Sequence, residues 1–123
     1  MTQENKELLL KDLCSRLPYH PRVKVWLKDG TMEEGVLDLE HNYGDVLRDA
    51  FYYSKIVKIK PYLFPLSNMT DEQKKDYQHI TERWMYDSSY SISDSIDWLN
   101  KNNFDYRGLI EKGLAIPILN PFS

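Results

Sequence analysis

Ile56-Val57-Lys58-Ile59-Lys60-Pro61-Tyr62-Leu63-Phe64-Pro65-Leu66 joins two halves of unlike character. Its first residues alternate, with Val57 and Ile59 on one face and Lys58 and Lys60 on the other, the period of a half-buried strand. Pro61 has no N–H to give a ladder, which predicts that the strand ends there. Apolar side chains then stand on both sides of two prolines, so residues 61–69 read as a connector buried between the halves. It leads to a helix start at Thr70. Upstream the chain reads as a small sheet with a leading helix, and downstream as helices.

Residues 2–17 carry a helical pattern: Thr2 caps, Glu4 and Glu7 suit the positive end of the dipole, and Leu9, Leu10, Leu13 and Leu17 form a stripe. Pro18 and Pro21 end it. Over 23–28 the chain alternates, Val23, Val25 and Leu27 against Lys24, Trp26 and Lys28. Asp29-Gly30 then signals a two-residue hairpin turn. That turn would pair Leu27 with Met32, Val25 with Glu34 and Val23 with Val36, and the later shift of parity to Leu37 and Leu39 implies a bulge or bend at Gly35. A turn over 41–45, a strand over 46–53, a tight turn at 54–55 and the strand at 56–60 complete a bent sheet that curls toward a barrel.

Downstream, Thr70 and Gln73 form a capping box before a helix running to about residue 85, with Tyr77, Ile80 and Trp84 as its stripe. A polar loop over 87–93, a helix from Ser93 or Asp94, a short helix capped by Asp105 and ended by Gly113, and an extended apolar tail over 116–123 follow. The expectation is one α+β domain over 1–123. It comprises an N-terminal helix, a strongly bent four- or five-stranded antiparallel barrel-like sheet (22–60), the connector, and C-terminal helices (70–115) packed on the sheet.

Composition narrows function by exclusion. The net charge of -3 argues against binding nucleic acid through bulk charge. Its distribution matters more, because residues 22–60 balance and the acidic excess lies after residue 60. The single cysteine, Cys14, forbids an internal disulfide and, set among Leu10, Leu13 and Leu17, is expected to be a buried, inert thiol. No apolar run is long enough for a membrane span, and the N-terminus lacks a signal-peptide layout, so a cytoplasmic protein without a membrane partner is expected.

His20, His41 and His79 are scattered, the five glycines form no phosphate loop, and no nucleophile elbow is present. A protein that is not an enzyme, with no metal and no cofactor, is the reading that remains. Recognition would then fall to surface groups. Lys24, Trp26 and Lys28 share one face of the first strand and Lys58 and Lys60 one face of the fourth. Cations for phosphate and a flat ring for bases are what single-stranded nucleic acid needs. The same residues would also suit a solvated, aggregation-resistant edge with Trp26 as a packing site. Tyr106 and Arg107, within a segment read first as packing, form a further candidate pair.

Two resemblances add to this. Val23-Lys24-Val25-Trp26-Leu27-Lys28-Asp29-Gly30-Thr31, with Gly35-Val36-Leu37 and Val46-Leu47-Arg48-Asp49-Ala50, resembles the first motif of the Sm-like small β-barrels, which bind RNA. The loop over 41–45 and the residues after Tyr53 depart from that family's pattern, so its uridine pocket and ring assembly are not carried over. Leu8-Leu9-Leu10-Lys11-Asp12-Leu13, Lys60-Pro61-Tyr62-Leu63-Phe64-Pro65-Leu66 and Phe104-Asp105-Tyr106-Arg107-Gly108-Leu109-Ile110 are similar to a family of small uncharacterised proteins of gut anaerobic bacteria and their mobile elements. That similarity implies a bacterial, mobile-element or regulatory setting and no particular activity. The leading expectation is a protein-interaction module, motivated by 9 Tyr, 4 Phe and 3 Trp, acting as a monomer or small homo-oligomer on a protein partner. The alternative is a nucleic-acid-binding small barrel for single-stranded RNA or DNA.

Overall fold

The computed structural model describes residues 2–38, 56–86 and 92–119. The strand expected over 46–53, the turns at 41–45 and 54–55, the loop over 87–91, the end of the tail and the place of Trp84 in its stripe lie outside the described residues. Within them the α+β class holds: an N-terminal helix, a mixed five-stranded sheet that does not close into a barrel, and later helices.

Helix α1 (Gln3–Arg16) begins where Thr2 caps it, the Asn5 N–H donating to Thr2 Oγ1 at 3.1 Å. Its buried stripe is Leu9, Asp12, Leu13 and Arg16, so two charged groups occupy a face expected to be leucine alone. Leu10 and Leu17, the helical neighbours of Cys14, are only half-buried. Cys14 therefore rotates off the stripe and is exposed, contrary to the expected buried thiol.

Strands β1 (Arg22–Leu27) and β2 (Met32–Val36) form an antiparallel hairpin one residue out of the expected register, pairing Val25 with Glu33 and Val23 with Gly35. The loop has three residues. The Gly30 N–H donates to Leu27 O at 3.0 Å, the Leu27 N–H donates to Thr31 O at 2.9 Å, and only Gly30 takes a positive φ, 92°. Asp29 faces forward instead, accepting from the Thr31 hydroxyl and N–H at 2.6 and 2.9 Å, and those bonds hold its carboxyl below its ordinary range. In this register Glu33, Gly35 and Leu37 share the inner parity, so no bulge at Gly35 is needed to bury Leu37.

Strand β3 (Ile56–Pro65) runs straight through Pro61. Up to Pro61 it pairs antiparallel with β1. Beyond it the partners are two short parallel strands, β4 (Phe104–Asp105) and β5 (Ile116–Pro117). The proline marks an exchange of partner and not a stop, because Phe64 N–H finds Asn103 O and Leu63 O accepts from Ile118 N–H, each at 2.8 Å. A bulge near Trp26 pushes Val57 outward, leaving Ile56, Ile59, Pro61 and Leu63 as the buried set.

Two clusters lie under the sheet. Leu9 and Leu13 meet Val23, Val25, Leu37, Ile56 and Ile59, while Leu63 meets Leu109, Leu114 and Ala115. Each fully buried leucine contributes roughly 1.5–3 kcal/mol. Helix α2 (Asp71–Tyr86) has the expected capping box, Thr70 N–H to Gln73 Oε1 at 2.9 Å and Gln73 N–H to Thr70 Oγ1 at 3.1 Å. It joins helix α3 (Ile92–Lys101) and the sheet through a run of rings. Tyr77 lies 5.5 Å from Trp98, Trp98 stacks on Phe104 at 5.7 Å, and Phe104 meets Phe64 at 5.9 Å. The short helix expected after Asp105 is a set of turns. Asp105 accepts from Leu109 and Ile110 N–H, both at 2.9 Å, and Gly113, at φ 72°, closes it.

Candidate functional site

Because Val23 and Val25 are sealed inside, β1 must turn Arg22, Lys24 and Trp26 outward, and its neighbours turn out the residues paired with them. Across three strands the outer face reads Lys58, Trp26 and Met32 in one row, then Lys60, Lys24 and Glu34. Arg22 and Val36 continue it, with the Arg22 guanidinium 5.4 Å from the Tyr62 ring centroid. The Trp26 ring is the centre. Lys58 Nζ lies 4.3 Å from its centroid, Lys24 Nζ 5.5 Å and Lys60 Nζ 5.8 Å, all within cation–π range.

Among the described residues Glu34 is the carboxylate paired with this face. Glu34 accepts from the Tyr62 hydroxyl and lies 3.6 Å from Arg22. Burial first, then the hydrogen bond to Glu34, pushes the Tyr62 phenol up to about 12, with Arg22 acting the other way. Lys24 stands directly opposite Lys60, a like-charge pairing that costs stability. On the other flank of β3, a cavity of about 340 Å³ is lined by Lys58, Lys60, Lys112 and Asn5, and none of its described lining residues is acidic. Lys112 was missed in the sequence because its turn had the look of a helix end.

Of the candidates, Lys24, Trp26, Lys58 and Lys60 come together. Lys28 stands apart in the hairpin turn, where the three-residue loop carries it off the strand. Tyr106 and Arg107 are not an exposed recognition pair. Arg107 donates to Asp12 Oδ1 at 2.9 Å and to Ser15 Oγ at 3.0 Å, its side chain is 13% exposed, and its guanidinium covers the Tyr106 ring at 4.5 Å. The Tyr106 hydroxyl donates to Asn100 Oδ1 at 2.8 Å.

Both residues belong to a buried ionic cluster. Arg16, fully buried, donates through Nε to Asp12 Oδ2 at 2.9 Å and through Nη2 to Phe104 O at 2.6 Å, and lies 5.4 Å from the Tyr106 centroid. One carboxylate thus bridges two arginines and ties α1 to β4 and the segment after it. The signal for it was present in the sequence: Asp12 and Arg16, spaced i and i+4, are in phase with Leu9 and Leu13.

Among the described residues no group of three or more His, Cys, Asp or Glu side chains could hold a metal ion, and no helix is long and apolar enough to cross a membrane. Compared with family models, with curated proteins and with solved structures, the chain matches none of them.

Proposed function

We propose that the protein is a binding module without catalytic activity, and that the outer face of its sheet takes single-stranded nucleic acid. The observation that carries this reading is the set of three lysine ammonium groups around the half-buried Trp26 ring, extended by Arg22, which is paired with Glu34. A surface that sets Lys24 against Lys60 gains from a polyanion that neutralises both, and an aromatic ring beside them offers a stacking platform of no fixed sequence preference. The aromatic excess favoured a protein partner in the sequence. Among the described residues, Tyr77, Trp98, Phe104, Phe64 and Tyr106 use their rings internally, which weakens that reading.

A protein partner keeps one specific support: Met32 on this face and the bulged Val57 are 57% and 56% exposed. Fluorescence anisotropy with short single-stranded RNA, single-stranded DNA and duplex DNA separates the two. Four phosphate contacts give a slope of about -3 in log affinity against log salt, so affinity drops by roughly fiftyfold from about 50 to 200 mM salt. Trp26→Ala weakens binding by about 1–3 kcal/mol. Absence of binding at low salt overturns the nucleic-acid reading and leaves the exposed apolar residues as the basis for a protein partner.

A further inference from the structure

Past Tyr62 the outer face does not simply end. Strand β3 continues to Phe64, and the chain leaving β5 folds over beside it, held by Asn68 Nδ2 donating to Ile118 O and Leu119 O at 3.2 and 3.1 Å. Between them lies a cavity of about 450 Å³, lined by Arg22, Tyr62, Phe64, Asn103, Pro117 and Leu119. Its size suits a small organic ligand, and its lining is the usual mixture of apolar walls with a few polar groups.

Three features define what fits. Tyr62 and Phe64, two apart on one strand, supply two rings on one side. Arg22 supplies a cation at the edge nearest Lys24 and Lys60. Asn103 supplies an acceptor with nothing to accept from, since its Oδ1 is buried without a hydrogen-bond partner. The backbone of Asn103 is fixed, at φ 61° and with its carbonyl taken by Phe64 N–H, so the amide is held at the cavity and not on a drifting loop. Asparagine tolerates that left-handed conformation better than most residues. None of the described residues lining the cavity is acidic.

We infer that this cavity seats one base of a nucleic-acid strand whose phosphates follow the lysine face. The base lies against Tyr62 and Phe64, an N–H on its edge donates to Asn103 Oδ1, and its 5′ or 3′ phosphate meets Arg22. Every natural base presents at least one N–H donor on its pairing edge, whereas a phosphate or a sugar alone would leave the rings unused. The inference rests on reading the lysine face as a nucleic-acid surface, and it adds a site at which the base itself is felt.

The test compares two labelled single strands of equal length, one with bases and one abasic, by anisotropy at fixed low salt. The wild-type protein binds the base-bearing strand about tenfold more tightly. Asn103→Gly, which keeps the left-handed backbone, lowers the ratio to what Trp26 stacking alone supplies, and Leu119→Ala, at an exposed position on the cavity rim, reduces it without touching the core. Lys24→Ala weakens both strands alike and leaves the ratio unchanged. Equal wild-type affinities overturn the base site and the stacking on Trp26, and leave the lysines as phosphate contacts alone. A ratio that survives both Asn103→Gly and Leu119→Ala places base recognition elsewhere, most simply at Trp26, and overturns the base site too. Failure of both strands to bind removes the lysine-face reading and the base site with it.

Discussion

Among the described residues two rings, Tyr106 and Trp26, each gather more than one cation, with opposite results. At Tyr106 two arginines are closed in by Asp12, Phe104 O and Ser15, and the cluster is sealed between α1 and the C-terminal segments. At Trp26 three lysines crowd one ring on the outer sheet face, with Glu34 near its edge. The first arrangement is closed to solvent, although Arg16 Nη1 is buried in it without a partner. Guanidinium forks give fixed, bidentate geometry to a carboxylate, while lysines are mobile point charges suited to a partner that arrives from solvent. The difference teaches that cation–aromatic contact by itself does not mark a site; cations that a partner can reach from solvent do.

Breaking the closed cluster gives the largest effect. Asp12→Ala leaves Arg16 buried and uncompensated and lowers stability by about 3–5 kcal/mol in urea denaturation. A loss under 1 kcal/mol would mean that the arginines are solvated after all. At the open cluster the same kind of change reverses sign: Lys60→Gln relieves the opposition to Lys24 and raises stability by about 0.2–1 kcal/mol while weakening nucleic-acid binding. If stability and binding fall together, Lys60 is a structural residue like Arg16.

A smaller, solvent-screened effect distinguishes Tyr62, where the two kinds of chemistry meet. Its phenol is raised in the folded state, so the proton is held more tightly there than in the unfolded chain. That contribution is present below pH 10.0 and is lost as the pH climbs to about 12. Ultraviolet titration of the folded protein should lose its highest phenolic step in Tyr62→Phe, and the alkaline limb of stability should flatten. The smallest effect is expected at Cys14. It reacts with a thiol reagent without unfolding, and Cys14→Ser stays within about 0.5 kcal/mol of the parent.

Where local chemistry decides structure, the sequence could be read directly. Thr2 and the Thr70–Gln73 box cap the helices expected of them. Asp29-Gly30 does turn the hairpin, but the turn takes in Lys28 as well, and one extra loop residue moved every cross-strand partner of β1 by one. That slip explains both the false bulge at Gly35 and the inward placing of Met32 and Val36. The parallel pairings of β3 were illegible because two-residue strands have no period to detect, and their partners come from far along the chain. At the candidate site, Lys24, Trp26, Lys58 and Lys60 were visible from alternation. Tyr106 and Arg107 stand in a segment read first as packing, and packing is what they do; the pairing of Arg107 with Asp12, 95 residues away, has no local signal.

Pro61 also divides β3 in time. Its first half completes a local hairpin sheet with β1, but Leu63 and Phe64 wait for Ile118 and Asn103, dozens of residues downstream. While the chain emerges or refolds, the inner core under α1 can consolidate first, with the second half of β3 left as a bare strand edge, open to wrong partners. The same strand should then show two classes of amide exchange, slow before the proline and faster after it, with the cavity beside Phe64 assembled last.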